Sequence, residues 1–430
     1  MSDGKMRVFL DTIGCRLNQA EIEQMARQFR AAGHEIVVTA AEADLAVVNT
    51  CTVTSEAASD SRGKIRAASR LGAGKIAVTG CWATLEPDVA ATLPGVKFVI
   101  SNDRKDFLVS DLLDIPAETF DLEPLIREPL PGLRARTRAF IKVQDGCDNH
   151  CTYCITALAR GAGRSRPIAD VLTDVRSALA GRTKEIVLTG VHLGSWGQDF
   201  DLHLRDLVKA ILDETDAPRL RLSSLEPWDL GENFFGLWSD PRLCRHLHLP
   251  LQSGSGSVLR RMARKTAPES YAALVAAARQ AIPDVAITTD VIAGFPGETE
   301  PEFAETLDFV KRMAFARGHV FTYSPRPGTA AARMDGQIRH EVRKERNAAL
   351  RAAFAKSEQD FMRQFIGRKV SVLWESTSQL SEVGWQMEGL TDNYLRVRSV
   401  MPQPRWNEVD EVRLVAVAGD SHLVGDCHLG

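Results

Sequence analysis

Three cysteines on one short segment form the most chemically informative pattern in this sequence of 430 residues. Asp145–Ile155 reads Asp-Gly-Cys-Asp-Asn-His-Cys-Thr-Tyr-Cys-Ile, so Cys147, Cys151 and Cys154 are spaced C-x3-C-x2-C. Three thiolates on one loop can hold three irons of a 4Fe–4S cubane and leave the fourth iron open to a ligand. The amino and carboxyl groups of S-adenosylmethionine (SAM) could bind such an iron, which would then pass one electron into the sulfonium bond.

A structural zinc ion is the main alternative for this loop. Zinc would prefer a fourth Cys or His at zinc-finger spacing. His150 lies within the loop, but such close neighbours rarely complete a tetrahedral site, and His192, His246 and His248 are better placed to line a barrel. We therefore favour the cluster, and keep a non-catalytic RNA-binding protein with structural metal as the competing hypothesis.

A second set of cysteines follows strands of the N-terminal segment. The predicted strands there are Met6–Asp11, Glu35–Val38, Asp44–Asn49, Lys75–Thr79 and Val96–Ile100. Cys15, Cys51 and Cys81 follow the first, third and fourth of them. Because the carboxyl ends of parallel strands meet at one edge of a sheet, the three thiols could share one metal centre. The alternative is three unrelated buried cysteines, since free Cys is often buried.

The pattern of strands and helices predicts an α/β protein of three domains. An N-terminal parallel α/β domain (4–115) alternates strands with helices, and a Pro-rich acidic linker, Ile115–Pro131, follows. The domain at 133–365 is a partial (β/α)6 barrel, with its chemistry in the loops after the strands. Its strands are Ala139–Val143, Glu185–Thr189, Arg219–Ser223, His246–Pro250, Ala286–Ile292 and His319–Tyr323. Short apolar runs with glycine turns predict a small antiparallel β-barrel at 367–430.

Composition sets broad limits on class and compartment. The chain is 44% hydrophobic and 25% charged, as in ordinary globular proteins, and no window offers the roughly 20 apolar residues of a membrane span. No signal-peptide pattern precedes the first strand, so we expect a cytoplasmic protein without a membrane partner. Its net charge of −3 does not indicate a general nucleic-acid binder. The C-terminal barrel has six basic and nine acidic residues, so RNA binding there would need a local patch.

The central cysteine loop resembles that of the radical SAM superfamily. Thr12–Glu21, Asn49–Cys51 and Gly80–Cys81 look like the methylthiotransferase N-terminal domain, and the segment from Gly367 looks like the TRAM domain, an RNA-binding β-barrel. The resemblance therefore spans almost the whole chain in the order of that family. Three internal stretches are similar to the branch that acts on threonylcarbamoyladenosine in tRNA: Glu185–Ser195, Leu222–Pro227 and Tyr323–Thr329.

This resemblance implies a division of chemistry between two 4Fe–4S clusters. Cys147, Cys151 and Cys154 are the catalytic set, at which SAM would yield a 5′-deoxyadenosyl radical that takes hydrogen from C2 of an adenine. Cys15, Cys51 and Cys81 would hold an auxiliary cluster bearing the methylthio sulfur, methylated by a further SAM. The implied partners are the anticodon arm of tRNA, an electron donor such as flavodoxin or ferredoxin, and an unidentified sulfur donor. The acidity of the C-terminal barrel favours the alternative substrate, a ribosomal protein side chain, but the three internal stretches outweigh it, so we expect C2 of N6-threonylcarbamoyladenosine at position 37 of tRNA to be the target.

Further residues are weaker candidates for contacts with cofactor or RNA. The candidates for SAM binding are Tyr153, Ser223, Glu226, Gln252 and Gly294, with core packing or turn formation as the alternatives. Six arginines that flank the cysteine loop suit tRNA phosphates, although a solvated surface run explains them equally well. They are Arg134, Arg136, Arg138, Arg160, Arg164 and Arg166.

Overall fold

The computed structural model describes residues 4–122, 137–381, 384–419 and 421–426. The chain forms two compact units. The first comprises Met1–His150, Cys154–Arg182 and Thr189–His192. The second comprises Cys151–Tyr153, Thr183–Leu188 and Leu193–Gly430.

A five-stranded parallel sheet begins the first unit. Its strands are β1 (Arg7–Thr12), β2 (Glu35–Val37), β3 (Leu45–Thr50), β4 (Lys75–Gly80) and β5 (Val96–Val99). They lie side by side in the order β2-β1-β3-β4-β5. The central strand β3 is apolar in its first half and buried throughout, as expected of a parallel strand covered on both faces. The predicted N-terminal parallel α/β fold is confirmed.

Helices follow these strands, and two of them begin at or directly after a cysteine. They are α1 (Arg16–Ala31), α2 (Ser55–Arg70), α3 (Cys81–Leu85), α4 (Pro87–Ala91) and α5 (Leu108–Leu113). Cys15 is the residue before α1, and Cys81 is the first residue of α3. The hydroxyl of Thr54 caps α2 by accepting the amide of Ala57 at 3.1 Å, which fixes where the chain turns after Cys51.

The rest of the first unit surrounds the central cysteine loop. It contains β6 (Arg138–Lys142), β7 (Gln144–Asp145), α6 (Thr156–Arg160), β8 (Arg164–Ser165) and α7 (Ile168–Ala180). β7 and β8 pair antiparallel and bring the two ends of the loop together. Gly146 lies between them with φ +76°, and a Cβ there would come within 1.9 Å of the Ala162 carbonyl oxygen. Only glycine fits this turn.

The second unit contains most of the partial barrel. Its strands are β9 (Glu185–Thr189), β10 (Leu220–Leu222), β11 (His246–His248), β12 (Ala286–Ala293) and β13 (Arg317–Thr322). Its helices are α8 (Leu204–Glu214), α9 (Gly256–Arg261), α10 (Pro268–Ala281), α11 (Glu300–Met313) and α12 (His340–Arg363). β9 pairs with β10, β12 pairs with β11 and β13, and a bridge from Ser224 to His248 joins the two groups, all in parallel. With β6, these strands are the six predicted for the barrel.

A closed five-stranded barrel ends the chain. Its strands are β14 (Lys369–Ser381), β15 (Gly384–Thr391), β16 (Arg396–Met401), β17 (Val409–Ala418) and β18 (His422–Asp426). The pairing is antiparallel except between β16 and β18, which run parallel, so the predicted barrel is confirmed with one change. Its interior packs Trp374, Met387 and Val412.

The turn between β15 and β16 docks on the amino ends of the barrel strands. The buried guanidinium of Arg221 donates to the carbonyls of Thr391 and Asp392 at 3.1 and 2.8 Å. Tyr394 stacks on His246 with ring centroids 4.1 Å apart. These contacts attach the C-terminal barrel firmly to the core of the second unit.

None of the helices in the described ranges combines the length and apolarity needed to cross a membrane.

Candidate active site and metal centres

The first unit brings Cys15, Cys51 and Cys81 to one edge of its sheet. They follow β1, β3 and β4, which are adjacent in the sheet. The thiols are close enough to interact electrostatically, and Cys51 interacts with both of the others. Gly14, at φ +105°, permits this approach, because a Cβ there would lie 2.7 Å from Cys51 Cβ. The strand-end argument from the sequence thus predicted their convergence, and their role as cluster ligands stays a prediction.

Amide side chains support the auxiliary thiols, by which we mean Cys15, Cys51 and Cys81. Asn18 Oδ1 lies 3.8 Å from Cys15 Sγ, and its Nδ2 donates to the carbonyls of Ile13 at 2.7 Å and Thr50 at 3.1 Å. Asn102 Nδ2 donates to Cys81 Sγ at 3.7 Å. Hydrogen bonds of this kind orient metal ligands and tune the metal they hold.

Burial raises the pKa of the Cys51 thiol to about 11. The metal-free thiol is therefore protonated near neutral pH, and it must lose its proton to bind iron, as all thiolate ligands do.

A buried group of charges lies next to these thiols. Arg160, 4% exposed, donates from Nη1 to Glu21 Oε1 at 2.9 Å and to Asp145 Oδ1 at 2.8 Å. Lys105 Nζ donates to Glu21 Oε2 at 2.8 Å. Burial acts to raise the pKa of Glu21, but Arg160, Lys105 and Lys142 outweigh it and hold that pKa well below its usual value. Glu21 is thus a buried carboxylate that stays ionised.

The prediction that Arg160 contacts RNA is wrong. The side chain is enclosed and its terminal nitrogens donate to Glu21, Asp145 and Asn18, so a tRNA phosphate has no access to it. Of the other arginines predicted to contact RNA, Arg164 is exposed, Arg138 is half-buried, and Arg166 donates to Asp174 at 2.6 Å. Arg134 and Arg136 lie outside the described residues.

The central loop is held by its own backbone in the first unit. Cys147 donates its amide to the Gly161 carbonyl at 3.0 Å. Cys154 Sγ accepts the amide of Thr156 at 3.4 Å, at the start of α6. Both thiols are half-buried, which suits ligands that must stay accessible to an incoming cofactor.

Cys151 belongs to the second unit, where it has an arginine neighbour. Arg264 Nη1 lies 3.8 Å from Cys151 Sγ and 3.1 Å from Glu226 Oε1, and Nη2 donates to Glu226 Oε2 at 2.5 Å. The guanidinium also lies 4.5 Å from the ring centroid of Trp228. Glu226, predicted to bind SAM, is therefore the ion-pair partner of the arginine that contacts Cys151.

The other predicted SAM-binding residues are distributed over the second unit. Tyr153 packs against an apolar cluster that includes Met262 and Phe295. Gln252 adopts φ +70° in a bridge to Val291. Their roles toward SAM remain predictions.

Ser223 and Gly294 complete the predicted SAM-binding set. Ser223 is buried, and its hydroxyl is without a hydrogen-bond partner in the described residues. Gly294 has φ +73° and donates its amide to Glu298 at 3.0 Å. Their roles toward SAM also remain predictions.

The donor sets suit clusters better than a single ion. Among the described residues, no three Cys, His, Asp or Glu side chains are grouped as ligands of one metal ion. A cubane distributes three thiolates over three separate irons, so its ligands need not crowd around one point. The auxiliary thiols, the Asn102 amide that donates to Cys81 and the buried cation Arg160 fit an anionic iron–sulfur cluster.

Sequence reasoning missed the residues that support the thiols. Asn18 and Glu21 follow Cys15 by three and six residues on α1, and both are buried although polar. Polar residues on the buried face of a predicted helix were the available signal. Asn102 and Arg264 carry no such signal, because only the tertiary fold places them beside cysteines.

Comparison with known families agrees with this geometry. Residues 7–101 match the profile of the uncharacterized protein family UPF0004, and residues 141–310 match that of the radical SAM superfamily. The radical SAM methyltransferase TsrM from Kitasatospora setae has a similar fold, with a TM-score of 0.58 at 16% identity over 76% of this chain and 77% of that one. The fold, the cysteine loop and these matches define a radical SAM enzyme.

Curated relatives narrow the class. A threonylcarbamoyladenosine tRNA methylthiotransferase of Thermotoga maritima is 38% identical over 86% of both chains. Its Bacillus subtilis counterpart is 36% identical over 91% of this chain and 89% of its own. A tRNA-2-methylthio-N(6)-dimethylallyladenosine synthase of Sphingopyxis alaskensis is 35% identical over 87% and 88%. The chain belongs to the radical SAM tRNA methylthiotransferase family, whose members use SAM and two 4Fe–4S clusters.

Proposed function

We propose that this enzyme methylthiolates C2 of N6-threonylcarbamoyladenosine at position 37, next to the anticodon of tRNA. The observation that carries this choice within the family is the polar inner face of the barrel in the second unit. The higher identity to threonylcarbamoyladenosine enzymes supports it by a small margin.

Strand register identifies that inner face. His248 pairs with Thr288, which pairs with Arg317, and Asp290 pairs with His319, so these five side chains share one face of β11, β12 and β13. The opposite face carries Gly318, where an added Cβ would strike Phe354 of α12. The face with the histidines therefore points into the barrel, although at its amino end Arg317 reaches Glu358 of α12, at 3.7 Å.

The inner face offers both hydrogen-bond donors and acceptors. Asp290 lies 3.3 Å from His248 Nε2, and the hydroxyl of Thr288 lies 2.9 Å from His248 Nδ1. A threonylcarbamoyl group presents a carboxylate, a hydroxyl and ureido N–H groups, which need such partners. A dimethylallyl group is apolar and offers no hydrogen-bond partner to these polar side chains, so they would not favour it as a substrate.

One exposed aromatic on the same strand face suits a nucleobase. Phe321 follows His319 by two residues on β13 and is 43% exposed. Aromatic side chains bind single-stranded bases by stacking. We infer that Phe321 stacks on the target base while His319 faces its N6 substituent.

When bound, the two clusters supply the electron for SAM cleavage and the sulfur that is transferred. The chain contributes positioning. Arg264 orients Cys151 and pairs with Glu226, and the amides of Asn18 and Asn102 orient the auxiliary thiols. We propose Cys147, Cys151 and Cys154 as the SAM-cleaving set, and an external reductant such as flavodoxin or ferredoxin as the electron donor.

The decisive experiment compares two tRNA substrates. The reconstituted enzyme is incubated with SAM, reductant and tRNA carrying either threonylcarbamoyladenosine or dimethylallyladenosine, and nucleosides are identified by mass spectrometry. We expect the methylthio product from the first tRNA. A methylthio product from the dimethylallyladenosine tRNA alone would assign the enzyme to the dimethylallyl branch. If neither tRNA were modified and a ribosomal protein were methylthiolated instead, the substrate would be that protein and the proposal would be wrong.

A variant tests the role of the inner face. His319→Ala should raise the KM for the threonylcarbamoyl tRNA by about tenfold, as expected for loss of one hydrogen bond to a charged group, while SAM cleavage persists. His340→Ala, an exposed histidine at the start of α12, is the matched control and should leave the KM unchanged. An unchanged KM in His319→Ala would remove this face from substrate recognition.

A further inference from the structure

Helix α6 contributes two groups to the surroundings of the auxiliary thiols. It starts two residues after Cys154 and ends at Arg160. The carbonyl of Ala159 accepts the amide of Asn102 at 2.6 Å, and the same amide nitrogen lies 3.7 Å from Cys81 Sγ. The helix that follows the radical-forming cysteine loop therefore packs directly on the support of the auxiliary thiols.

Arg160 extends this contact to the other two auxiliary cysteines. Its Nη2 donates to Asn18 Oδ1 at 2.8 Å, and Asn18 in turn holds the carbonyls of Ile13 and Thr50. Ile13 lies two residues before Cys15, and Thr50 directly precedes Cys51. One guanidinium thus fixes, through one amide, the backbone of both cysteine segments.

The charges around Arg160 are balanced without the cluster. Glu21, Asp145 and Asp106 face Lys105, Lys142 and Arg160 in one network of ion pairs. Three thiolates around an iron–sulfur core add net negative charge, and reduction adds more. Arg160 is the cation that interacts electrostatically with Cys15 and Cys81. Buried charge of this kind shifts cluster potentials, because water does not screen it.

We propose that Arg160 is a positioning residue of the auxiliary cluster, which holds the Cys15 and Cys51 segments through Asn18 and raises the cluster's reduction potential. The inference rests on the two clusters of the family and not on which nucleoside is the substrate. The role of Arg160 can therefore be disproved while the proposed substrate stands, and the proposed substrate can be disproved while the role of Arg160 stands.

The test is a redox titration of the auxiliary cluster alone. Full-length protein carrying Cys151→Ala is reconstituted anaerobically, so that the auxiliary cluster dominates the electron paramagnetic resonance signal. Arg160→Gln, Arg160→Lys and Arg166→Gln are compared on this background for iron content and midpoint potential. Arg166 is the matched control, since its guanidinium donates to Asp174 and to the Lys142 carbonyl.

We expect Arg160→Gln to lower the midpoint potential, Arg160→Lys to restore most of the shift, and Arg166→Gln to match the parent protein. Failure of Arg160→Gln to take up iron, while Arg166→Gln loads fully, would also support the proposal. A fully loaded Arg160→Gln with an unchanged potential would overturn it. So would an equal loss of iron in Arg160→Gln and Arg166→Gln, because the effect would then be general destabilisation.

Discussion

The two cysteine sets of this enzyme are built in opposite ways. Cys147, Cys151 and Cys154 lie on one loop, closed by a hairpin of two-residue strands. Cys15, Cys51 and Cys81 come from the ends of three adjacent strands and meet only when the sheet has formed. The first set is encoded by local spacing, and the second by topology.

The charged residues around the two cysteine sets also differ in number. Arg264 contacts Cys151 from a single ion pair with Glu226. Arg160 acts within a network of several buried charges and reaches the auxiliary thiols partly through Asn18. The comparison indicates that the auxiliary thiols are brought together only by the fold of the first unit, whereas Cys147, Cys151 and Cys154 are already close in sequence and take only their arginine neighbour from the tertiary fold.

The largest expected effect separates the two sets by removing one ligand from each. Cys151→Ala should abolish formation of 5′-deoxyadenosine, and Cys51→Ala should retain it but lose the methylthio product. Each variant should fall from about eight to about four irons per chain. Iron analysis and chromatography of the products measure both effects.

Cys244→Ala is the control for those two variants, since Cys244 is buried but belongs to neither set. It should keep both products and all of the iron. If Cys51→Ala lost 5′-deoxyadenosine as completely as Cys151→Ala, the two sets would not have separate tasks.

A smaller effect probes the dependence of the auxiliary set on close backbone approach. Gly14→Ala must accept φ +105° and place a Cβ 2.7 Å from Cys51 Cβ, so we expect loss of the auxiliary iron with SAM cleavage retained. Gly33→Ala is the matched control, with φ +83° and open space around its Cβ. It should keep its iron and lose only about 1 kcal/mol of unfolding free energy.

Equal iron contents in Gly14→Ala and Gly33→Ala would show that the Cys15 segment adapts freely. The auxiliary cysteines would then not depend on the close backbone approach at Gly14.

The smallest expected effect concerns pH and the metal-free protein. The pKa of Cys51 is raised by burial to about 11, above its ordinary value of 9.0. The stability linked to this thiol is thus fully present below pH 9.0 and is lost as pH rises toward 11, when the unfolded chain ionises first. The full difference corresponds to about 3 kcal/mol.

Urea unfolding of the metal-free protein at several pH values measures this loss. Metal-free Cys51→Ala should lack that part of the pH dependence, because it has no thiol to ionise at this site. Parallel stability curves for the two proteins would mean that Cys51 ionises as readily in the fold as in water.

The sequence predicted most of the framework because the strands are strongly patterned. The segments Leu45–Thr50 and Glu185–Thr189 are rich in apolar and β-branched residues, and both form strands where expected. β7 and β8 are two residues long and carry no periodic signal. The parallel pairing of β16 with β18 could not be predicted from the sequence either, because closure of the barrel determines it.

Arg160 shows what the neighbouring sequence alone cannot predict. Arg160 lies among other arginines in sequence, which suggested a basic surface. Its burial depends on Asn18 and Glu21, which lie on α1 and are distant in the chain. The sequence around Arg160 therefore predicted a high local density of positive charge. Its role as a buried ion-pair partner was decided by residues that only the fold brings to it.

The docked turn between β15 and β16 has a practical consequence for dissecting this enzyme. Truncation near Gly367 would remove the carbonyls of Thr391 and Asp392 that Arg221 contacts, together with the ring that covers His246. The shortened chain would expose a buried arginine and an aromatic surface, and we expect it to aggregate. Boundaries for a minimal catalytic fragment should therefore follow these contacts and not the apparent edges of sequence domains.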